Sequence, residues 1–264
     1  MKTRTKLQLV GTLLGNLYLP GFWQGSIYQG ALKAGCTPLL NCWSCPGALF
    51  SCPIGVLQYF AITGNISFLA LGFLFLIGSF VGRATCGWLC PFGFVQDLLY
   101  QIPTPKLNSS NQYLWIKYLV LITLVFIVPY ITAVPWFSKL CPVGALEAAV
   151  PLVLVNKEVR QNAGMFFYLK IAILVLVLIF CVIKSRAFCL FLCPLGAIYS
   201  IFNKVSIFKL KVDNSNCKKC NSCFEHCPMG IYVYKTPNHI NCIRCLECLK
   251  ACPVKVIKFK GGIQ

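Results

Sequence analysis

The sequence is poor in charged residues, and acidic residues are the scarcest among them. Only 11% of its 264 residues are charged, with six Asp and Glu against 24 Lys and Arg, while 58% are hydrophobic. This composition is too apolar for an ordinary soluble domain and predicts a membrane protein. The basic residues flank apolar runs or alternate with cysteines, which favours a role in membrane topology and argues against nucleic-acid binding.

The sequence also lacks a P-loop and a GxGxxG motif, so it offers no familiar site for a nucleotide substrate. Its two histidines, His226 and His239, are expected at the surface because the cysteines are numerous enough to ligate metal alone. A cleaved signal peptide is one interpretation of the apolar N terminus, which follows Lys2, Arg4 and Lys6. No A-x-A cleavage site comes after it, so we expect an uncleaved anchor.

Cysteine, in contrast, is abundant, with 18 residues. In a small secreted protein they would predict disulfides, but in a chain of this size their CxxC spacings are typical of metal ligation. The firmest pattern lies in residues 209–264, where two CxxCxxCxxxCP runs begin at Cys217 and Cys242. The apolar runs stop where this segment starts, and it carries ten basic and three acidic residues. We therefore expect a separate C-terminal domain.

In a pair of such runs, three thiolates of each run bind one cubane and the fourth crosses to the other cluster. The spacing predicts two 4Fe-4S clusters. Their ligands are Cys217, Cys220, Cys223 and Cys252 for the first, and Cys242, Cys245, Cys248 and Cys227 for the second. Zinc also binds four thiolates, but the doubled run favours iron–sulfur clusters. The segment resembles bacterial-type two-cluster ferredoxins, which implies an α+β domain.

Four apolar stretches precede this domain, and a helix needs about 20 apolar residues to cross a bilayer. They are residues 7 to about 30, interrupted by Asn16, Pro20 and Gln24, and residues 66–81, 113–134 and 166–183. Lys and Arg are concentrated before the first stretch, around the link from the second to the third, and after the fourth, and basic flanks stay cytoplasmic. We predict a mainly α, multi-pass protein of the plasma (inner) membrane, with both termini in the cytoplasm.

An internal repeat runs through this membrane part. Residues 83–93, RATCGWLCPFG, match residues 186–196, RAFCLFLCPLG, in an RAxCx3CPxG pattern. Further upstream, Cys52 and Cys141 each begin another CPxG. The Pro and Gly predict broken, re-entrant segments, which membrane depth tolerates only where protein shields the backbone.

The repeat divides residues 1–208 into two tandem halves, about 1–105 and 106–208. Each half contains, in this order, a span, a CPxG motif, a second span and an RAxCx3CPxG motif. Because each half has two spans, both insert the same way round, and we expect a pseudo-twofold axis along the membrane normal.

The repeated Cx3C pairs place two thiols about one turn apart on one helical face. Facing each other across the pseudo-twofold axis, they predict an inner membrane cluster with the ligands Cys86, Cys90, Cys189 and Cys193. A second set, toward the outer face, is Cys42, Cys45, Cys52 and Cys141, with Cys36 as a substitute for any member. Cys181 lies inside an apolar stretch, where a free thiol acts as a small hydrophobe. Disulfides or redox-active dithiols are the alternative for the membrane cysteines.

With these motifs in view, the chain resembles the membrane-bound polyferredoxin family that includes NapH and the C-terminal half of NosR. The resemblance rests on the Cx3CP motifs at Cys86/Cys90 and Cys189/Cys193 and on the C-terminal ferredoxin pair, and it covers nearly the full length. It implies several membrane spans and electron transfer between the quinone pool and a reductase. The denser segment from Cys36 to Cys52 departs from that pattern.

This layout predicts an electron-transfer subunit that carries electrons across or along the membrane. One end would meet a quinone, a quinol or an external partner, and the other a cytoplasmic carrier or reductase within a membrane redox complex. Two alternatives stay open: a stand-alone quinone or metal-ion reductase, and a redox sensor whose Cx3C pairs form disulfides.

One acidic residue is a candidate for proton chemistry in this layout. Glu147, six residues after Cys141, is a candidate proton acceptor beside a quinol site, because intramembrane acids are costly. Its alternative is pairing with Lys139 or water at the interface, and Asp97, after Cys90, has the same simple interpretation.

Overall fold

The computed structural model describes residues 3–66, 68–107 and 113–261, and over these ranges the chain is mainly helical. Lys2, Ser67 in the predicted second span and residues 262–264 of the predicted C-terminal domain lie outside them. The helices are α1 (Thr3–Gly15), α2 (Pro20–Gln24), α3 (Pro53–Thr63), α4 (Phe68–Val81), α5 (Ala84–Trp88), α6 (Pro91–Leu99), α7 (Ile116–Thr132), α8 (Trp136–Leu140), α9 (Pro142–Val155), α10 (Lys157–Gln161), α11 (Met165–Ile183), α12 (Ala187–Phe191), α13 (Pro194–Phe202), α14 (Ser222–Glu225) and α15 (Glu247–Ala251). A 3₁₀ turn covers Ala31–Ala34.

The two halves of the membrane part share one helical plan. The five-residue α5 is matched by α12, also five residues long, and the nine-residue α6 is matched by α13 with nine. The longer helices α4 and α11 precede these pairs at equivalent places. The sequence repeat is therefore also a repeat of local structure.

The paired cysteines do not share one helical face, so that prediction was wrong. Cys86 lies inside α5, whereas Cys90 is the N-cap of α6, with extended backbone at φ −67° and ψ 123°. The reason is Pro91, which cannot continue a helix but has the right φ to begin one. The same break separates Cys189 from Cys193.

Every CPxG motif begins a helix in this way. Each cysteine is an N-cap with extended backbone, and the proline takes the first helical position. The N-cap residues are Cys52 of α3, Cys90 of α6, Cys141 of α9 and Cys193 of α13. A helix N-terminus carries partial positive charge, so this position favours a thiolate.

Within the described residues, α11 is the one helix long and apolar enough to cross a membrane, with a mean hydropathy of 3.0. Only 17% of its apolar window is buried inside the protein, which is unlike the core helix of a soluble domain. Four other apolar helices are shorter: Pro53–Thr63, Phe68–Val81, Ile116–Thr132 and Pro142–Val155. The predicted first span is divided between α1 and α2. Four membrane spans therefore remain a prediction.

Two of these shorter helices contain prolines without being interrupted. In α7 a π-helical stretch, Leu121–Ile127, lies just before Pro129, and in α9 the stretch Ala145–Ala149 lies just before Pro151. Proline lacks an N–H group and its ring collides with the preceding turn. The wider turn accommodates that collision, so both helices remain continuous.

The C-terminal domain begins at β1 (Phe208–Val212), which pairs antiparallel with β2 (Ile257–Gly261). The register joins Phe208 to Gly261 and Val212 to Ile257, so the two ends of the domain meet. A small apolar core lies beneath this ribbon. It contains Leu210, Val233, Cys248, Val256 and Ile257.

The C-terminal domain packs against the helices of residues 1–208 through a loop at residues 239–245. Asn203 Nδ2, just after α13, donates to the carbonyl oxygens of His239, Ile240 and Cys242 at 3.2, 3.1 and 2.7 Å. Trp88 Nε1, at the end of α5, donates to the Arg244 carbonyl oxygen at 2.8 Å. These bonds hold the loop against both repeated motifs.

Gly87 in α5 allows this packing of the C-terminal domain to be tested. A Cβ at residue 87 would collide with the backbone carbonyl oxygen of Ile243, whereas a Cβ at Gly72 in α4 meets nothing within 4 Å. Gly87→Ala is expected to lower the unfolding temperature and to speed proteolytic release of the C-terminal domain. Gly72→Ala is the matched control and should be neutral or stabilising, since alanine favours a helix by about 1 kcal/mol over glycine. Equal proteolysis of the two variants would contradict this docking.

Candidate metal centres

The ligand set predicted for the first C-terminal cluster lines a single cavity. Its cysteines are Cys217, Cys220, Cys223 and Cys252. Apolar side chains such as Val212 and Val254 complete the wall, together with Lys218 and Lys219. Cys220 is exposed, so this distal cavity lies at the protein surface.

The second predicted set lines another cavity. Its cysteines are Cys227, Cys242, Cys245 and Cys248, and Met229 and Ile243 cover it. The fourth cysteine of each run thus crosses to the other cavity, as the spacing predicts. Burial raises the pKa of Cys227 to about 12, so metal binding must displace a proton from this thiol.

The two cysteine runs share unusual backbone angles. Lys219 and Asn221 around Cys220 have φ of 51° and 61°, and Arg244 and Leu246 have φ of 49° and 61° at the equivalent places. The left-handed region costs about 1 to 2 kcal/mol for a non-glycine residue. Such turns aim successive N–H groups into an anion-binding concavity, which suits an anionic cluster.

The set predicted for the inner membrane cluster also lines one cavity, and all of its cysteines are buried. They are Cys86, Cys90, Cys189 and Cys193, two from each half. Gly196 N donates to Cys193 Sγ at 3.2 Å, and Gln96 Nε2 donates to Cys189 Sγ at 3.1 Å. Hydrogen bonds to sulfur of this kind set the reduction potential of an iron–sulfur centre.

The arginine of each repeated motif binds the opposite half. Arg83 Nη2 donates to the carbonyl oxygen of Cys189 at 3.0 Å, and Arg186 Nη1 donates to that of Cys86 at 2.6 Å. Both guanidinium groups are fully buried. The arginines therefore join the two halves at the inner cavity.

The glycine of each motif makes room for these arginines. A Cβ at Gly93 would lie 2.5 Å from Arg186 Nη1, and a Cβ at Gly196 would lie 2.9 Å from Arg83 Nη2. The first and last residues of RAxCx3CPxG are thus contact partners across the two halves, a role that sequence reasoning missed although both residues are repeated.

Buried positive charge surrounds the inner cavity in excess. Arg186 pairs with Asp97, at 2.8 Å from Nε to Oδ1, and Asp97 is shared with Arg4. Arg83 has no carboxylate partner among the described residues, and its Nε atom has no hydrogen-bond acceptor there. Lys117 is buried beside it.

Buried charges are costly unless they are compensated. A cluster with four thiolates is anionic, so the excess positive charge fits that cofactor. Asp97 is thus part of this charge arrangement and does more than occupy an interface. Sequence reasoning counted Lys117 only among the basic residues that flank the predicted spans and did not place it at this cavity.

The outer set is only partly assembled. One cavity is lined by Cys42, Cys52 and Cys141, but Cys45 is not part of its wall. Cys36 is also outside it and forms a parallel β-bridge with Ser51. The structure therefore brings three of the predicted thiols to this cavity.

Glu147 lies next to the outer cavity and holds its loop. Its Oε2 atom accepts a hydrogen bond from the backbone N–H of Cys42 at 2.8 Å. Lys139, the partner considered from sequence, instead lies over the rings of Trp136 and Phe166 at 5.6 and 5.7 Å. Glu147 is thus held by its hydrogen bond to the backbone of Cys42 and not by Lys139.

The spacing of the donors favours clusters over single ions. All 18 cysteines are free, and no three His, Cys, Asp or Glu side chains of the described ranges lie close enough to share one metal ion. Zinc would need its thiolates about 2.3 Å from one centre. Cysteines distributed around a cavity suit a cubane, in which each thiolate binds a different iron.

The histidines are outside these cavities. His226 is exposed, as predicted, and its Nδ1 is 3.0 Å from the Ser222 carbonyl oxygen. His239 is half-buried, so its predicted surface position was wrong. Its Nδ1 accepts a hydrogen bond from Asn241 N at 3.1 Å, so His239 has a structural role in the loop at residues 239–245.

Comparison with known proteins agrees with this chemistry. A family described as a 4Fe-4S binding domain matches twice, at residues 63–110 and 166–213, and each match includes one Cx3CP motif. The chain is thus an iron–sulfur protein with two copies of that domain.

Three similar proteins define the family further. An uncharacterized protein of Methanocaldococcus jannaschii is 30% identical over 194 residues, 69% of this chain and 74% of its own length. The methylamine utilization ferredoxin-type protein MauN of Methylobacillus flagellatus is 28% identical over 77% of this chain and 68% of its own. The ferredoxin-type protein NapH of Haemophilus influenzae is 29% identical over 60% of this chain and 51% of its own. No solved structure matches. The chain belongs to this family of ferredoxin-type electron-transport proteins.

The crossed ligation of the C-terminal cavities can be tested by counting iron. Cys227→Ser should remove one cluster, about four iron atoms. Because Cys242 lines the same cavity as Cys227, the double variant Cys227→Ser/Cys242→Ser should lose no more iron than the single one. Cys227→Ser/Cys217→Ser should lose about twice as much. The opposite ranking of the double variants would refute the crossed pattern.

Proposed function

We propose that this chain is a membrane-embedded electron carrier with four iron–sulfur sites in series. It would connect a quinone, a quinol or an external partner with a cytoplasmic redox partner, as a subunit of a larger redox complex. The clusters would supply one-electron transfer, and the protein sets their spacing and potentials. The observation that carries the proposal is the succession of four cysteine cavities along one chain.

The outer and inner cavities are immediate neighbours. Leu40 lines both of them and is itself buried. One leucine residue therefore contributes to the walls of both cavities, with Cys52 and Cys141 on one side and Cys90 and Cys193 on the other. A shared apolar wall of this kind suits electron tunnelling between the two sites.

The inner cavity is linked to the C-terminal domain by one arginine. Arg83 lines the inner cavity, and its Nη1 donates to Asn241 Oδ1 at 3.2 Å. Asn241 directly precedes Cys242, a ligand of the deeper C-terminal cavity, and also accepts a hydrogen bond from Lys117. This geometry makes the deeper site the neighbour of the membrane part.

The distal cavity is the exit to solution. Cys220 is exposed there, and Lys218 and Lys219 lie beside it. Charge complementarity mainly steers association and orients partners. An acidic soluble carrier or reductase fits this end of the chain.

The surface of the helices supports a membrane location. Large apolar side chains are exposed along α4, α7 and α11, including Phe68 at 81%, Tyr130 at 75% and Leu176 at 68%. Contiguous exposed apolar surface of this kind marks contact with lipid or with other proteins. Arg4, near the N terminus, lines the same cleft as Cys227 of the C-terminal domain, which supports placing both termini on the cytoplasmic side.

Iron content and transmembrane transfer test the proposal together. The purified chain should contain about sixteen iron atoms, four for each site. In proteoliposomes with an impermeant reductant outside and ferricyanide inside, the chain should accelerate ferricyanide reduction. Cys90→Ser should abolish this transfer while both C-terminal clusters remain visible by EPR.

Cys181→Ser is the matched control for Cys90→Ser. Cys181 is buried in α11 and lines none of the four cavities, so transfer should be unchanged. An iron content near eight would contradict the membrane clusters and would favour the redox-sensor alternative, in which the Cx3C thiols form disulfides.

Glu147 is proposed as a proton acceptor for quinol oxidation beside the outer site. Glu147→Gln retains an oxygen that can accept from the Cys42 N–H, but it has no proton-accepting carboxylate. Quinol turnover should therefore fall at least tenfold while the iron content stays at the wild-type value, consistent with the 10²- to 10⁴-fold contribution of general bases. Unchanged turnover in Glu147→Gln would reject the proton role. Loss of iron in Glu147→Ala alone would assign the residue to holding the loop.

A further inference from the structure

The outer cavity differs from the other three in its number of thiols. Each of the others is lined by four cysteines, whereas this one is lined by Cys42, Cys52 and Cys141. These three are the predicted thiols that the wall of this cavity brings together.

Cys45 lies close to Cys42 but is not part of the wall of this cavity. It lies in a turn in which its N–H donates to the Cys42 carbonyl oxygen at 3.0 Å. Lys33 donates to the Ala48 carbonyl oxygen of the same turn at 2.8 Å. The turn therefore holds Cys45 beside Cys42 but outside the cavity wall.

The repeat explains why a fourth thiol is missing. Each membrane site receives one CPxG cysteine from each half: Cys90 and Cys193 inside, Cys52 and Cys141 outside. The inner site adds a second cysteine from each half. For the outer site the first half adds Cys42, but residues 106–140 of the second half contain no cysteine.

Polar groups occupy the remaining side of the cavity. Lys170 lines it, and its Nζ donates to the Ser138 carbonyl oxygen at 3.3 Å. A Cβ at Gly144 would lie 3.3 Å from both Cys42 Sγ and Lys170 Nζ, so the ammonium group lies close to the thiols. An ammonium group has three N–H donors, and the Ser138 bond uses one.

The cavity also reaches the surface. Trp43 lines it and is 45% exposed, and Cys42 is half-buried, unlike the fully buried cysteines of the inner site. A small solute can therefore approach this site, whereas the inner cavity is enclosed.

We propose that the outer site binds its cluster through three thiolates only, those of Cys42, Cys52 and Cys141. One iron is left for a small anionic ligand from solution, held beside the Lys170 ammonium group. Catalytic metal sites similarly keep one position without a protein ligand. The inference rests on the proposed function, because it assumes that the outer site holds a cluster.

Cysteine variants of the full-length chain test the ligand count. Cys45→Ser and Cys36→Ser should each retain the wild-type iron content and the EPR signal of the outer cluster. Cys42→Ser, Cys52→Ser and Cys141→Ser should each lose about four iron atoms. Loss of the outer cluster in Cys45→Ser or Cys36→Ser would overturn the three-thiolate assignment.

Cyanide tests the open position in the wild-type protein, where folding is not in question. It should shift the EPR signal of one cluster, and that signal should be the one absent from Cys52→Ser. Lys170→Met should weaken cyanide binding about tenfold, as expected for a charge at this range, while Lys170→Arg should not. No cyanide-dependent shift would overturn the proposal.

The iron content and the cyanide response together separate this inference from the proposed function. A wild-type chain with about twelve iron atoms and no outer signal would remove the outer cluster, and with it both the four-site series and the open iron. A chain with about sixteen iron atoms and no response to cyanide would leave the four-site series intact and reject only the open position.

Discussion

The structure depends on two buried arginines, each of which binds a cysteine carbonyl in the opposite half. A guanidinium group that is buried away from water is stable only when its N–H groups have hydrogen-bond acceptors and its positive charge is balanced by negative charge. The carbonyl oxygens of Cys189 and Cys86 compensate part of the N–H groups of Arg83 and Arg186. Asp97 compensates the charge of Arg186, whereas Arg83 has no carboxylate partner among the described residues. The thiols of the inner cavity, in their thiolate form, would supply the missing negative charge beside Arg83.

The same arginine has different neighbours in the two halves, and this difference organises the rest of the chain. Arg186 binds Asp97, which in turn pairs with Arg4 of α1, so the N-terminal helix is held against the inner site. Arg83 binds Asn241 instead, so the C-terminal domain is held there. A duplicated motif thus anchors one end of the chain in each half, and both anchors converge on one cavity.

Spacing alone predicts which C-terminal cysteines line each of the two cavities, because a CxxCxxCxxxCP run is local and its crossing rule is general. The repeat likewise predicts which membrane cysteines meet at the inner cavity. Helical periodicity alone does not predict how the two cysteines of a Cx3C pair are oriented. Pro91 begins a new helix with Cys90 as its N-cap, so Cys86 and Cys90 belong to different helices. The roles of Lys117 and Gly87 depend on which element packs against them, and nothing in their local sequence specifies that contact.

The CPxG motif explains why the duplication gives two cysteine-lined cavities and why these differ. Proline fixes a helix start, the cysteine caps it, and the partial positive charge of the helix N-terminus favours a thiolate at that cap. Two halves provide four such caps, enough for two cysteines at each of two sites. The remaining ligands must come from other segments. α5 and α12 are equivalent and complete the inner site, whereas the loop that carries Cys42 has no counterpart in the second half. The symmetry that builds the inner site therefore leaves the outer one with an odd number of thiols.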